Sequence, residues 1–147
     1  MNDIYREVDT LQGHALFGSG TCVDLIKLMV PGLAGISTQL WKTGDNIVEA
    51  HKAGKTFPRG TAIATFDNGH YPQACPTGYA GSCHHAALLL SVANGGMWIM
   101  DQYNTDKRRL FVAKRFIRIP PPSERALPNG KWKDAGNNAL AFHVITK

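Results

Sequence analysis

The chain has 147 residues, of which 44% are hydrophobic and 18% are charged, and its formal net charge is +5. This length and composition predict a single domain over residues 1–147 that buries its own core. The longest apolar runs are far shorter than the roughly 20 residues that a membrane helix requires, so membrane insertion is not expected. The positive charge favours anionic partners, such as cell-wall polymers or nucleic acid, without choosing among them.

The first half of the chain carries the helical signals. Thr21 and Asp24 form a capping pattern just before the apolar run VDLIKLMV, and Pro31-Gly32 then stops that run. One helix is therefore expected from about residue 22 to residue 30. A second helical segment is expected near residues 47 to 53.

The second half carries the strand signals. Apolar or alternating runs predict strands near residues 61–66, 86–92, 97–103, 110–119 and 139–145. Asn94-Gly95-Gly96 predicts an antiparallel hairpin between the second and third of these. The densest basic stretch, residues 107–118, is interpreted as a half-exposed strand pair with a solvated basic face. A helical part followed by a strand-rich part predicts an α+β domain.

Cys22 is the candidate nucleophile. It falls at the first helical position after Gly18-Ser19-Gly20, where backbone N–H groups converge. A helix N-terminus favours negative charge, so a thiol there is pushed toward the thiolate that attacks a carbonyl carbon. The same amides could hold the oxyanion that forms on attack. On the helix evidence alone, a thiol that only packs in the core remains an equal alternative.

Among the six histidines, His85 is the candidate general base. A thiolate nucleophile needs a base and a proton donor, and histidine suits both roles near neutral pH. His85 stands at the mouth of the buried strand predicted at 86–92, where a rigidly held side chain can open on a cleft. His84 is the runner-up, because strand alternation would point it to the opposite side.

Asp101 is the candidate for the third group, which orients the base, and Gln102 and Asn104 are its rivals. A two-residue turn at Asn94-Gly95 would put Gln102 on the face of His85, whereas a three-residue loop would put Asp101 there. Asp101 is favoured because an acidic residue directly after a buried run needs a partner. A surface carboxylate at the strand end is the alternative.

The motifs resemble those of papain-like cell-wall hydrolases of the NlpC/P60 and CHAP types. Gly-Ser-Gly-Thr-Cys opens a helix at Cys22, His85 opens a strand, and Asp101-Gln102-Tyr103 closes the next strand. Within that group, GTCVDLIK, HHAALLL and WIMDQY are most similar to the third family of type VI secretion amidase effectors, over about residues 13–118. The resemblance implies an α+β, papain-like fold, in which an N-terminal helix with the cysteine packs on an antiparallel sheet with the histidine.

The resemblance also implies a function. Such a protein is an antibacterial toxin, injected by a type VI system into a rival's periplasm, where it cleaves the peptide cross-link of peptidoglycan. An immunity protein blocks it in sibling cells. Cys22 would then match the nucleophile, His85 the base and Asp101 the orienting residue. The bond preferred in that family joins D-alanine to diaminopimelate, while related amidases cut the D-glutamate to diaminopimelate bond.

Two further expectations concern export and cofactors. The first 14 residues are polar and acidic, and they lack the basic start and apolar centre of a secretory signal. Signal-directed export is therefore not expected, which agrees with secretion by a type VI system. No phosphate-binding motif opens a helix, and the mechanism implied by the resemblance needs no cofactor.

Cys75 and Cys83 flank PTGYAGS just before the histidines. A disulfide between them would close a small ring and leave Cys22 as the free thiol, and two reduced thiols are the alternative. A second function class uses the same region: a basic, zinc-stabilised nucleic-acid-binding module with ligands Cys75, Cys83, His84 and His85. Its spacing departs from the two close ligand pairs of most zinc sites, so nucleic acid is not the expected partner.

Overall fold

The structure, a computed structural model, describes residues 3–105 and 109–147. Two α-helices lie in these ranges, α1 (Cys22–Met29) and α2 (Ile47–Lys52). The strands are β1 (Lys42–Asn46), β2 (Thr61–Thr65), β3 (Ala86–Ala93), β4 (Gly96–Asp101), β5 (Ala113–Arg118) and β6 (Phe142–Thr146). Neither helix in the described part of the chain is long and apolar enough to cross a membrane.

The strands form one sheet in the order β1-β6-β2-β3-β4-β5, and each pairing is antiparallel. The predicted α+β class is therefore confirmed. Strand β1 was not predicted, because its residues KTGDN are polar and mostly exposed. The predicted strand pair within residues 107–118 is wrong, because β5 is a single strand that pairs with β4. Exposed positions on β5 do alternate with less exposed ones, and two of the three exposed residues, Lys114 and Arg118, are basic. Lys107 and Arg108 lie outside the described residues.

Helix α1 begins where the capping pattern predicts. The backbone of Thr21 is extended, and its hydroxyl accepts a hydrogen bond from the backbone N–H of Asp24 at 3.3 Å. The Asp24 carboxylate in turn accepts from the backbone N–H of Ser19 at 2.8 Å and from its hydroxyl at 2.7 Å. These bonds fix the glycine-containing loop before the helix. The helix ends at Met29, two residues before Pro31, which cannot continue a helical hydrogen-bond ladder.

Apolar clusters cover both faces of the sheet. Alternate residues of β3, including Leu88 and Leu90, pack on one face with Leu25 of α1. Leu89 belongs to the cluster on the other face, together with Ile47 of α2. A strand buried on both faces reads as a continuous apolar run, which explains the sequence AALLLSV. The sheet thus supports the Cys22 helix on one side only.

The β3–β4 hairpin decides which polar residue faces His85. Its turn is the two-residue form, Asn94-Gly95, which by itself would place Gln102 on the face of His85. A β-bulge at Leu90 shifts the register by one residue, however. Beyond the bulge, strand alternation puts Asp101 on that face instead. The expectation that turn length alone sets the choice is therefore wrong.

A disulfide joins Cys75 to Cys83, whose Cα atoms are 5.5 Å apart. It closes the loop that leads into His84, and it leaves Cys22 as the free cysteine. In the chain-entropy model a loop of this length stabilises the folded state by about 2.5 kcal/mol. The loop has little regular structure of its own, so the bond restrains the segment that leads directly into β3.

Candidate active site

The Cys22 side chain lies at the start of α1, where it is buried with 5% of its surface exposed. The loop before it is held by Gln102. The side-chain amide of Gln102 donates to the carbonyl oxygens of Phe17, at 2.9 Å, and Thr21, at 2.7 Å, and its oxygen accepts from the N–H of Phe17 at 2.8 Å. Asn104 likewise donates to the carbonyl oxygen of Ser19 at 2.8 Å. Both rivals of Asp101 therefore anchor the cysteine loop.

His85 lies immediately before β3, and the neighbouring strand β2 fixes its backbone. Its N–H donates to the hydroxyl of Thr65 at 3.0 Å, and its carbonyl accepts from the N–H of Thr65 at 3.0 Å. The imidazole Nε2 is 2.6 Å from Oδ2 of Asp101. This contact leaves Nδ1 for the Cys22 thiol, and the interaction between the imidazole and the thiol shifts the pKa of both groups. His85 is thus coupled to both Cys22 and Asp101, and all three side chains are buried.

Asp101 ends β4, and its side chain is completely buried. Besides His85, it accepts hydrogen bonds from two guanidinium groups. Nη2 of Arg109 donates to Oδ1, and Nε and Nη2 of Arg115 each donate to Oδ2 at 3.1 Å. The third nitrogen of Arg115 donates to the side chain of Asn137 at 2.8 Å. The carboxylate therefore has cationic partners on both oxygens.

The charges of this cluster shift the pKa values of its members. Burial alone raises the pKa of the Cys22 thiol, but the hydrogen bond and the charge of His85 together lower it below its ordinary range. Burial lowers the pKa of His85, yet its bonds to Asp101 and Cys22 raise it to about 9. Burial raises the pKa of Asp101, and His85 and the two arginines more than reverse that effect. These directions favour a thiolate–imidazolium pair at neutral pH.

Tyr71 is a site residue that the sequence reasoning missed. Its hydroxyl is 3.8 Å from Sγ of Cys22, and its ring stacks on His84 with 5.5 Å between centroids. Burial, and then the negative charge of Cys22, raise the pKa of Tyr71 well above its usual value, so the phenol keeps its proton. It stands alone in an irregular loop without a periodic pattern, so no sequence signal marked it.

Two open depressions meet at Tyr103, which lines both of them. The first, of about 800 Å³, is lined on one side by Cys22, Lys27 and Gln73. The second, of about 560 Å³, is lined by His85 and by Arg109. An extended substrate can therefore lie across the site, with one part beside the thiol and the other beside the imidazole.

The zinc alternative is not favoured by the geometry. Cys75, Cys83 and His84 do lie together, with their ligand atoms within 4.8 Å of one another. The two sulfurs are bonded to each other, however, and a zinc ligand must be a thiolate. Nδ1 of His84 contacts the carbonyl oxygen of Pro72 at 2.6 Å, and His85 is bonded to Asp101. The four predicted ligands therefore do not form one site.

Comparison with known proteins gave three matches. Residues 4–145 match the family model described as domesticated amidase effector 2. A type VI secretion amidase effector 2 protein of Salmonella typhi is 33% identical over 144 residues, which is 97% of each chain. A solved structure of a type 6 secretion amidase effector 2 superimposes with a TM-score of 0.79 at 30% identity, covering 97% of this chain and 92% of that one.

The thiol of Cys22 should titrate at higher pH when His85 is replaced. In His85→Ala the two largest effects that lower the pKa of Cys22 are lost, and burial is opposed only by the weaker hydrogen bonds from the Ala86 backbone and Tyr71. The pKa of Cys22 should therefore rise, and alkylation by iodoacetamide at neutral pH should slow by about tenfold or more. The rate is measured by mass spectrometry against pH. His51→Ala, which removes an exposed histidine on α2, is the matched control and should leave the midpoint near the wild-type value. An unchanged midpoint in His85→Ala would show that the imidazole does not activate the thiol.

Proposed function

This chain belongs to the domesticated amidase effector 2 family, and we propose that it hydrolyses peptidoglycan by cysteine catalysis, with Cys22 as nucleophile, His85 as base and Asp101 as the orienting residue. Its homology to type VI secretion amidase effectors makes it an antibacterial peptidoglycan amidase. The expected kinship with these effectors is confirmed. The narrower expectation that the chain belongs to the third family of these effectors is not confirmed, because both relatives are described as amidase effector 2.

The observation that carries the proposed mechanism is the buried hydrogen bond between His85 and Asp101, together with the lowering of the pKa of the Cys22 thiol by His85. In the first half-reaction, the Cys22 thiolate attacks the scissile carbonyl carbon. The C–N bond then breaks while Nδ1 of His85 gives its proton to the departing amine. In the second half-reaction, neutral His85 takes a proton from water, the hydroxide attacks the thioester, and the thiolate leaves.

Arg109 and Arg115 support this cycle by keeping the Asp101 carboxylate ionised. When His85 becomes neutral, a buried carboxylate with no other cation would favour taking up a proton. Both guanidinium groups remain bonded to Asp101 in that state, so the carboxylate stays ionised. It continues to accept from Nε2, which keeps Nδ1 available as the base.

Tyr71 is the side chain that we assign to the oxyanion. Attack by Sγ places the developing negative charge within a few ångströms of the sulfur, and the Tyr71 hydroxyl is 3.8 Å from it. Because the phenol keeps its proton, it can donate a hydrogen bond to the oxyanion. The backbone N–H groups at the start of α1 are further donors, because a helix leaves its first amides without intrahelical partners.

We also propose where the enzyme acts and what restrains it. The disulfide between Cys75 and Cys83 supports action in an oxidising compartment, and the periplasm of a target cell is one. Delivery by a type VI system and an immunity protein in the producing cell fit the family. The bond that we propose is the D-alanine to diaminopimelate cross-link.

Replacement of the nucleophile should abolish hydrolysis. Cys22→Ala should lower the release of peptide fragments from purified sacculi on the order of 10⁴-fold or more, because the thioester can no longer form. Fragments are identified by chromatography and mass spectrometry, which also name the bond. Circular dichroism verifies that the variant is folded. Retained turnover in a folded Cys22→Ala protein would overturn the cysteine mechanism.

The alkaline limb of the pH profile of hydrolysis should depend on Asp101. The active ion pair exists above the pKa of Cys22 and below that of His85, which is raised to about 9. Without the carboxylate, burial and the nearby guanidinium groups disfavour the imidazolium, so Asp101→Asn should move the alkaline limb of kcat/KM down by about one pH unit or more. Asp24→Asn removes a carboxylate that bonds to Ser19 and should leave that limb in place. The assignment fails if both variants keep the wild-type limb.

Loss of the Tyr71 hydroxyl should slow the chemical step without blocking the thiol. Tyr71→Phe should lower kcat about 10²-fold with little effect on KM, because the donor acts mainly on the oxyanion. Cys22 should still react with iodoacetamide at a rate near that of the wild type. Tyr79→Phe is the control, since that hydroxyl bonds to the carbonyl of Trp132. Equal kcat values for Tyr71→Phe and wild type would remove Tyr71 from the mechanism.

A further inference from the structure

We propose that Arg109 binds a free carboxylate carried by the residue that supplies the leaving amine. The inference rests on the proposed function and narrows its substrate class. It concerns the smaller of the two depressions, on the His85 side of the site. Arg109 would thus decide which amides the enzyme accepts.

The acyl half and the amine half of the substrate would lie in different depressions. The acyl half becomes bonded to Sγ, and Cys22 lines only the larger depression. The leaving amine takes its proton from His85, which lines only the smaller one. Substrate atoms beyond the leaving nitrogen therefore lie in the smaller depression, beside Arg109.

Arg109 has two nitrogens there that are unbonded among the described residues, whereas each nitrogen of Arg115 already donates. All three nitrogens of Arg115 donate to Asp101 or Asn137. Arg109 uses Nη2 for Asp101, and within residues 3–105 and 109–147 no acceptor is bonded to its Nε or Nη1. About 19% of its side chain is exposed, so the group is partly desolvated and still reachable.

The charge of this pocket favours an anion. Two guanidinium groups share a single carboxylate, and among the described residues no second acidic side chain bonds to either of them. A guanidinium with two nitrogens that have no acceptor among the described residues matches a carboxylate in both charge and geometry. The polar neighbours Ser82 and Asn137 line the same pocket and suit a wet, hydrogen-bonded ligand.

A carboxylate site at Arg109 would distinguish the D-alanine to diaminopimelate bond from the D-glutamate to diaminopimelate bond. In the D-alanine to diaminopimelate cross-link, the leaving amine stands on a carbon that also bears a free carboxylate. In the D-glutamate to diaminopimelate bond, the corresponding carboxyl is amide-linked whenever the stem peptide continues. Arg109 therefore favours an amine with a free carboxylate on its own carbon.

The test compares two cross-linked muropeptide dimers that differ only in this carboxylate, which is free in one and a primary amide in the other. Wild-type protein should cleave the free acid with a kcat/KM about 10- to 100-fold higher, because the amide loses a charge-assisted contact. Arg109→Gln should bring the two values close together. Lys27→Gln, which removes a cation from the depression beside Cys22, should keep the wild-type ratio.

Each outcome is decisive. If Arg109→Gln slows both dimers by the same factor and keeps the ratio, Arg109 acts only through Asp101 and the carboxylate site is overturned. Equal rates for the two dimers with wild-type protein overturn it as well. If wild-type protein cleaves neither dimer and leaves sacculi intact, the proposed function itself has failed, and the inference fails with it.

Discussion

The structure of the site depends on one buried carboxylate. Asp101 is inaccessible to solvent, and an isolated ion at such depth would cost several kcal/mol. His85, Arg109 and Arg115 offset that cost from three different positions in the chain. Because removal of any one partner leaves the others with unbalanced charge, the carboxylate holds the start of β3, the end of β4 and strand β5 in one arrangement. The orientation of the imidazole follows from that arrangement.

Adjacent residues at the end of β4 serve opposite halves of the catalytic pair. Asp101 is bonded to the imidazole, and Gln102 is bonded on the other side to the loop that precedes Cys22. One extended stretch of backbone therefore sets the position of the base relative to the nucleophile. A shift of β4 by a single residue would exchange the two side chains and separate both groups from their partners.

The parts of the site that depend on local sequence patterns could be predicted from the sequence. The Thr21 cap placed Cys22 at a helix start, and the apolar run after His85 placed that histidine at a strand entrance. Asp101 could only be favoured over Gln102, because the deciding feature is a bulge at Leu90, inside an apolar run that gives no sign of irregular pairing. Tyr71 could not be found at all, since tertiary packing against His84 brings it to the thiol from a loop.

The sheet ends at β5, and this edge has its own consequence for assembly. An edge strand leaves backbone donors and acceptors on its outer side open to pairing with another chain. On β5 the exposed positions include Lys114 and Arg118, so a second copy aligned along this edge would bring like charges together. Such self-pairing is disfavoured by electrostatic repulsion, whereas a strand with acidic side chains would meet opposite charge along the same edge. The edge therefore opposes polymerisation of the enzyme and leaves open the addition of an acidic strand from a different protein.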